Sequence, residues 1–374
     1  MTHPSSPCRS FEDEPHRIAV MRALYLGDLL LSVPALRAMR TRFPAAEITL
    51  IGLPWAAAFV ERFQHLVDRF LPFPGYPGIG EVSYNERTTA RFLAEQRDYG
   101  YGLIMQMHGS GQTSNPFARA LGGAITVGYV VGDGSSGLDL AAPYPETLHE
   151  IDRNLRLVGL LGCATEDRAL EFPIAATDRS EASDLIGQTT SQPLVVLHPG
   201  AKFSARRWMP ERFAAVADAL VERLGARVIV SGASNEQPVI DAVISAMGRR
   251  EHATSLAGQT SLGGLAAIIE RCDLFVSNDT GPAHIAAALG RPSIVLFGPA
   301  DVRRWAPLDV GQHRVIREAV VCSPCGFEDC PIDHRCLRSI EPERVIATAV
   351  ALLGTRQRNE TQTRKWEIPI PCAG

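Results

Sequence analysis

The stretch DLFVSNDTGPAHIAAALGRPSIVLF, residues 273–297, contains one complete strand–helix–strand unit. An apolar strand over 273–277 precedes a short polar loop, and an apolar helix follows over 282–289. A proline at the first helical position and Gly290 just past the last one mark the helix boundaries. A second apolar strand covers 293–297. Two strands joined by a helix predict a parallel pair within an α/β sheet.

The same alternation extends along the chain on both sides of this unit. In the C-terminal half it predicts strands at 194–197 and 227–230, with helices at 210–224 and 262–271. In the N-terminal half it predicts a first strand at 17–24, a helix that ends near residue 42, and further strands at 47–52, 102–107 and 125–129.

Two local patterns in the N-terminal half allow more detailed predictions. Ser32 is placed to cap the first helix, which leaves Gly27 and Asp28 in the loop between strand and helix. Apolar residues at a spacing of 3 and 4 over 55–71 predict an amphipathic helix that packs on the sheet, with a helix that lies on a membrane surface as the alternative.

The alternation predicts two doubly wound domains, 17–176 and 193–354, flanked by flexible tails at 1–16 and 355–374. The domain boundary is expected in the polar segment 176–192. Each half, at ~150 residues, is large enough for its own core. Ligands of doubly wound sheets bind at the carboxyl ends of the strands, so the two domains are expected to face each other across a cleft.

The composition narrows the class of protein. Of the 374 residues, 45% are hydrophobic and 21% are charged, as in soluble globular proteins. The net charge of −4 provides no basic field for nucleic acid. Without a long apolar run or a signal peptide, the sequence predicts a cytoplasmic protein that can touch a membrane surface only peripherally. A dinucleotide fingerprint and a P-loop are both missing, and we expect no resident cofactor.

The loop at 278–281 is a candidate anion site. It joins a buried strand to a helix N-terminus, where free N–H groups and the helix dipole favour a diphosphate. His284 lies in the first turn and can reach the same anion. Asp279 would repel phosphate and suits sugar hydroxyls better. The alternative is that Asp279 or Thr280 only caps the helix.

Two further strand ends carry chemistry. Arg206 belongs to a basic loop that follows the strand at 194–197, and arginine binds phosphate oxygens with a planar fork. The alternative there is a solvated basic turn. Asp28 follows the first strand and can act as a general base towards a hydroxyl, although Gly-Asp is also a common turn.

Cysteines are concentrated near the C-terminus. Four of the eight lie within one short segment. The segment contains one Cys-x2-Cys pair and is otherwise irregular in spacing, so zinc binding stays an alternative to an idle structural role. These residues are Cys322, Cys325, Cys330 and Cys336.

The motifs, taken in order, resemble glycosyltransferase family 9, the ADP-heptose–lipopolysaccharide heptosyltransferase family. The resemblance covers roughly residues 17–350. The matching pieces are LGDLL at 26–30 with PALR at 34–37, HPGA at 198–201, RRWMP at 206–210, LAGQTSL at 256–262, SNDTGPAH at 277–284 and FGP at 297–299.

This resemblance implies a GT-B fold of two Rossmann-like domains and a metal-independent, inverting transfer of a sugar. It implies that Asp28 is the catalytic acid-base and that Arg206, where the family often has lysine, contacts the donor phosphates. The other donor-binding residues that it implies are Glu236 for ribose, Thr260 near the nucleobase, Asp279 for sugar hydroxyls, and Thr280, Gly281 and His284 for the diphosphate.

The expected partners are therefore a nucleotide-diphosphate sugar, with ADP-heptose the first choice, and a glycolipid or polysaccharide acceptor. Contact with the inner membrane surface would follow from such an acceptor. Three alternatives stay open at the level of sequence: a sugar-nucleotide-binding relative without turnover, a sugar-nucleotide epimerase on the same fold, and a metal or redox module built on the cysteines.

Overall fold

The computed structural model describes residues 14–132, 137–188 and 190–365, and for 355–365 it describes the backbone alone. The chain divides into two compact units, with the boundary between Pro173 and Ile174. Each unit contains its own parallel sheet.

The first unit alternates strands and helices from its first described residues. Its elements are β1 (Arg17–Met21), α1 (Leu26–Leu30), α2 (Val33–Arg42), β2 (Glu47–Gly52), α3 (Ala56–Arg62), β3 (Arg69–Pro72), α4 (Glu86–Tyr99), β4 (Leu103–Gln106), α5 (Ser114–Ala120), β5 (Ile125–Val130), β6 (Leu140–Pro143) and α6 (Glu150–Gly159).

The second unit begins with a helix and then repeats the alternation. Its elements are α7 (Ala176–Ile186), β7 (Leu194–His198), α8 (Pro210–Leu224), β8 (Arg227–Gly232), α9 (Gln237–Ala246), β9 (Ala253–Ala257), α10 (Leu262–Arg271), β10 (Leu274–Asn278), α11 (Gly281–Ala288), β11 (Ser293–Phe297), α12 (Val302–Trp305), β12 (His313–Arg317), α13 (Arg335–Arg338) and α14 (Pro342–Lys365).

Both sheets have the same strand order. Among the described residues, the first sheet runs β3-β2-β1-β4-β5-β6 and the second runs β12-β11-β10-β7-β8-β9, with parallel pairing throughout. The order reverses between β1 and β4, and again between β7 and β10. In doubly wound sheets the crevice at such a reversal is where ligands bind. The predicted α/β class is confirmed.

Buried apolar strands explain why these elements form. In β7, β10 and β11 nearly every side chain is buried, as expected for a parallel sheet that helices cover on both faces. The core of the second unit also includes Trp208, which is fully buried and packs edge-on against Phe213 of α8. Gly225 ends α8 in the left-handed region (φ +61°), the conformation that glycine adopts without strain.

One predicted segment is wrong in detail. Residues 55–71 do not form one helix, because α3 ends at Arg62 and the chain then adds β3 to the sheet beside β2. The polar segment 176–192, in which the domain boundary is expected, begins with helix α7. The buried residues Ala182 and Ile186 are four apart on that helix, and α7 packs on α10.

The start of the first helix also differs from the prediction. Asp28 lies within the one-turn helix α1 rather than in a loop. Ser32 occupies the N-cap position of α2 but makes no side-chain capping bond, because its hydroxyl donates to the Leu29 carbonyl (2.7 Å).

Helix α14 continues into the range 355–374, which the sequence predicts as a tail, and ends at Lys365. Residues 366–374 and 1–13 lie outside the described part. Within the described ranges we find no helix with both the length and the apolar character needed to cross a membrane.

Candidate functional site

A buried asparagine ties together the two central strand ends of the second unit. Asn278, the last residue of β10, donates from Nδ2 to the Pro199 carbonyl (2.7 Å) and accepts at Oδ1 from the Trp208 N–H (3.0 Å). This amide is fully buried, where a lost hydrogen bond is costly. It therefore fixes the loop after β7, which carries Arg206, against the loop after β10.

Arg206 and Asp279 form an ion pair at this strand edge. The Nη1 atom of Arg206 lies 3.1 Å from Oδ2 of Asp279, and the two side chains are 32% and 6% exposed. Arg206 ends a 3-10 turn that begins at Ser204, and its guanidinium also lies 5.5 Å from the ring of Phe203. The interpretation of Arg206 as part of a merely solvated turn is therefore wrong.

The N-terminus of α11 follows Asp279 directly. Thr280 is the N-cap residue, with an extended backbone (φ −154°) and no side-chain capping bond, so the alternative role of Thr280 as a side-chain cap is wrong. Gly281 starts the helix, and His284 in its first turn is buried. A helix N-terminus beside a guanidinium favours a phosphate or another anion.

Glu236 lies near the ends of β7 and β8. Its Oε2 accepts from the Ala233 N–H (2.8 Å) and lies 3.9 Å from Nε2 of His198. Burial lowers the pKa of His198, and its Nδ1 lies 3.1 Å from the hydroxyl of Ser231. A Cβ on Gly200 would come within 2.2 Å of the Glu236 carboxyl group, so this glycine leaves the space that the carboxylate occupies.

Thr260 is half-buried in the turn between β9 and α10. That turn is joined to the end of β8 by a hydrogen bond from the Gly258 N–H to the Gly232 carbonyl (2.8 Å). Ser261 then caps α10 by accepting from the Gly264 N–H (2.9 Å). The structure thus places the predicted donor-binding residues at the carboxyl ends of four adjacent strands, in the order β10, β7, β8 and β9.

Asp28 belongs to the first unit and lies near the carboxyl end of β1, at the reversal point of that sheet. Its side chain is 19% exposed, and Oδ1 lies 3.9 Å from Nη2 of Arg22. Arg22 also donates from Nε to the Asp28 carbonyl (2.9 Å). A half-buried carboxylate with a nearby cation is suited to hold charge and to exchange a proton.

The cysteine segment carries the one metal-site alternative that the sequence leaves open. In the described part of the chain no group of three or more His, Cys, Asp or Glu side chains has an arrangement that could hold a metal ion. Burial and the neighbouring thiols of Cys322, Cys330 and Cys325 raise the pKa of Cys336. The zinc alternative therefore has no support in the geometry.

The same segment supports the turn that carries Arg206. The Glu328 carbonyl accepts from the Ala205 N–H (2.9 Å), and the Asp329 carboxylate accepts from the Ser204 hydroxyl. On its other side, the Cys325 N–H donates to the Pro299 carbonyl (2.8 Å). The loop thus connects the 3-10 turn to the end of β11.

Several groups at these edges were given no role of their own from the sequence. Arg22 and Glu150 form a buried ion pair (3.0 Å) near Asp28, and His198 and Asn278 organise the second unit. The position of Arg22 directly after four buried strand residues could have marked it as a buried arginine at the strand end. No local pattern marks Glu150, because its partner is 128 residues away.

Comparison with known proteins adds independent information. Residues 90–335 match the family model described as "Glycosyltransferase family 9 (heptosyltransferase)". Lipooligosaccharide heptosyltransferase 2 of Haemophilus ducreyi is 32% identical over 90% of this chain and 99% of the relative. Lipopolysaccharide heptosyltransferase 2 of Escherichia coli K12 is 26% identical over 90% of this chain and 98% of the relative.

Solved structures show the same fold. A glycosyltransferase family 9 protein of Veillonella parvula superposes with a TM-score of 0.76 at 23% identity, over 93% of this chain and 99% of that one. The ADP-heptose lipopolysaccharide heptosyltransferase II of E. coli gives 0.71 at 22% identity, over 91% and 99%. The GT-B architecture predicted from the motifs is confirmed by these neighbours.

Proposed function

The chain belongs to glycosyltransferase family 9, and from this premise we propose that it transfers a heptose from ADP-heptose to the core of a bacterial lipopolysaccharide. That it is a glycosyltransferase follows from the family. The choice of donor and acceptor follows the relatives named above, whose sequences it matches over nearly their full length.

The donor half of the proposal depends on one observation. Arg206, Asp279 and the N-terminus of α11 meet at the carboxyl ends of β7 and β10, the reversal point of the second sheet. We assign the diphosphate to Arg206 and to the first turn of α11 with Thr280, Gly281 and His284. We assign the sugar hydroxyls to Asp279.

The nucleoside is assigned to the neighbouring strand ends. The carboxylate of Glu236, held over Gly200, is suited to accept hydrogen bonds from ribose hydroxyls. Thr260, one strand further out, is assigned to the nucleobase. Buried polar groups that bind ligand hydroxyls discriminate strongly against ligands without those hydroxyls.

The proposed reaction is an inverting, metal-independent transfer. Asp28 accepts the proton of the acceptor hydroxyl while that oxygen bonds to the anomeric carbon, and the bond from this carbon to the diphosphate oxygen breaks on the opposite face. Negative charge develops on the departing diphosphate. Arg206 and the α11 N-terminus stabilise it, and one such preorganised donor is worth roughly 3–4 kcal/mol in the transition state.

The first experiment measures donor binding and transfer with the same protein. Melting temperature is followed with ADP-, GDP-, UDP- and dTDP-linked sugars, and transfer to a core glycolipid from a heptose-deficient bacterium is followed by mass spectrometry. We expect selective stabilisation by ADP-heptose and a β-to-α or α-to-β change at the anomeric centre of the product. EDTA should leave the rate unchanged.

The same assay separates the alternatives. An epimerase would convert the sugar nucleotide without an acceptor, and a non-catalytic relative would bind the donor without product. Asp28→Asn is expected to lower kcat by ~10²–10⁴ while it leaves stabilisation by ADP-heptose intact. Near-normal turnover of Asp28→Asn would remove the base assignment.

A glycolipid acceptor also places the reaction at a membrane surface. We therefore include peripheral contact with the cytoplasmic face of the inner membrane in the proposal. Co-sedimentation with vesicles that contain the acceptor, compared with vesicles that lack it, tests this part separately.

A further inference from the structure

His198 is held from two sides at the carboxyl end of β7. It is the last residue of this strand, and 6% of its side chain is exposed. On one side the ring of Phe275 in β10 lies with its centroid 6.3 Å from the imidazole. On the other side the imidazole Nδ1 lies 3.1 Å from Oγ of Ser231 in β8. Contacts with both neighbouring strands thus fix the direction of the two ring nitrogens.

The hydroxyl of Ser231 determines which ring nitrogen carries the hydrogen. Its Oγ also lies 3.2 Å from the Leu197 carbonyl oxygen, which can only accept a hydrogen bond. Because the hydroxyl has one hydrogen, both contacts are hydrogen bonds only if it donates to this carbonyl and accepts from His198. We therefore assign the hydrogen to Nδ1, which leaves Nε2 of the neutral ring as an acceptor.

The charge state of His198 agrees with this assignment. Burial lowers the pKa of His198 below its usual value, and the nearby Glu236 carboxylate opposes that effect only in part. The imidazole is therefore neutral near pH 7. In the protonated ring both nitrogens would be donors, and Nε2 could not accept a hydrogen bond.

Nε2 of His198 faces a second acceptor. It lies 3.9 Å from Oε2 of Glu236, which is too far for a hydrogen bond. The carboxylate accepts from the Ala233 N–H (2.8 Å), but with about four lone-pair positions it retains capacity for a ligand. Two acceptors side by side, with no hydrogen between them, complement a ligand that presents two adjacent hydroxyl donors. The 2′- and 3′-hydroxyls of a ribose are such a pair.

We propose that His198 determines specificity for a ribonucleotide: its Nε2 accepts a hydrogen bond from one ribose hydroxyl, and Glu236 accepts one from the adjacent hydroxyl. This inference rests on the proposed function, in which Glu236 binds the ribose of the donor. A nucleotide that lacks either hydroxyl leaves one buried acceptor unpaired, which costs binding free energy.

The test measures dissociation constants of ADP, 2′-deoxy-ADP and 3′-deoxy-ADP by isothermal titration calorimetry. The native protein should bind ADP roughly 5-fold more tightly than either analogue. His198→Asn keeps an amide N–H for the Ser231 hydroxyl but has no acceptor at the position of Nε2. It should bind ADP roughly 5-fold more weakly and lose the preference over one analogue while keeping the other. His198→Gln, with an amide oxygen able to reach the position of Nε2, should restore the lost preference.

His313 provides a matched control in the same sheet. It is also buried, and its Nδ1 lies 2.9 Å from Oγ of Ser293, but the two residues start β12 and β11 and so lie at the opposite edge of the sheet. His313→Asn should leave all three dissociation constants at their native values. Equal losses in His313→Asn and His198→Asn would overturn the inference, because the effect would then come from a loosened sheet.

Nuclear magnetic resonance of the protein with ¹⁵N-labelled histidine tests the tautomer directly. The His198 signal, identified by its absence in His198→Asn, should show a protonated Nδ1 and an unprotonated Nε2 that shifts on addition of ADP. A ring that only supports β7 would show no shift of Nε2. A protonated Nε2 in the native protein likewise overturns the inference.

Failure of this inference can be distinguished from failure of the proposed function. If ADP does not bind the native protein, the donor site itself is wrong and the inference falls with it. If ADP binds but His198→Asn keeps both native preferences, only the role of His198 is overturned. Circular dichroism verifies folding. If His198→Asn does not fold, Ser231→Ala decides: without the hydroxyl that fixes the tautomer, the preference over one analogue should decrease, and two unchanged preferences overturn the inference.

Discussion

At the scale of single residues, Arg206 provides the most direct test of the proposed donor site. Arg206→Ala is expected to weaken ADP-heptose binding by ~10–100-fold, because a charge-assisted hydrogen bond contributes about 1.5–3 kcal/mol. Arg206→Lys should weaken ADP-heptose binding less than Arg206→Ala does, because lysine keeps the positive charge although it lacks the planar fork. Isothermal titration calorimetry measures both dissociation constants.

Lys202 provides the matched control for this prediction. It belongs to the same loop but is exposed. Lys202→Ala should bind ADP-heptose as the native protein does. Equal losses in Lys202→Ala and Arg206→Ala would mean that the loop contributes only general positive charge.

The buried histidine His108 makes stability depend on pH. Because its pKa is lowered to about 4 in the folded state, the unfolded chain binds the extra proton between that value and its ordinary pKa near ~6.5. The contribution of neutral His108 to the free energy of unfolding is therefore complete above pH ~6.5 and is lost as the pH falls through this window. His108→Gln should remove part of the decrease in unfolding free energy between pH 7 and pH 4, measured by urea denaturation.

The native protein, measured under the same conditions, is the reference for this experiment. A His108→Gln variant with the native pH dependence would contradict the argument.

At the scale of elements, the loop of residues 322–334 should influence donor binding without touching the donor. Asp329→Ala removes the acceptor of the Ser204 hydroxyl and loosens the turn that carries Arg206. Since one hydrogen bond contributes about 1 kcal/mol, the dissociation constant of ADP should rise roughly 5-fold. Fluorescence titration with ADP provides the measurement.

Asp333 lies in the same loop and serves for comparison. Its exposed carboxylate pairs only locally, with Nε of Arg335 at 3.0 Å in the described contacts. Asp333→Ala should leave ADP binding unchanged. If both substitutions weaken ADP binding to the same extent, the effect belongs to the net charge of the loop.

The elements of the second unit were predictable because their signals are local. The strand at 293–297 and the helices at 210–224 and 262–271 match the predicted bounds, since apolar runs there end at Gly, Pro or capping residues. Residues 55–71 misled the prediction because their helical spacing continues past Arg62. Pairing of β3 with β2 overrides that local preference, and no local pattern shows such a pairing.

The candidate site follows the same rule. Asp279 directly follows β10 and Arg206 lies in the loop after β7, so the location of both at this edge of the sheet could be predicted from the sequence. Glu150 could not, because its role arises from a contact with Arg22 across 128 positions. Polar networks assembled from distant segments are the part of a site that a single sequence hides.

At the scale of the whole molecule, the two units share one strand order but carry different groups at its reversal point. In both sheets the order reverses between the first and the fourth strand, where the first unit carries Asp28 beside Arg22 and the second carries the Arg206–Asp279 pair beside a helix N-terminus. The proposed division of labour is therefore proton transfer in the first unit and donor binding in the second.

Hydrogen exchange should make this division visible. ADP is expected to protect backbone amides at the ends of β7, β8, β9 and β10 in the second unit, because all assigned donor contacts lie there. Amides of β1, β4 and β5 should exchange at the same rate with and without ADP. Mass spectrometry of peptic fragments measures both, and equal protection of the two units would contradict the assignment.

The close approach of Glu236 to Gly200 limits the order in which the two positions can change during evolution. While the carboxylate is present, any Cβ at position 200 displaces it, so Gly200→Ala alone should impair donor binding. After Glu236→Ala the space is empty, and Gly200→Ala should add no further loss. The two positions are therefore epistatic. A lineage that replaces Gly200 without passing through an intermediate of lower fitness must first replace Glu236 by another group that makes the proposed ribose contact.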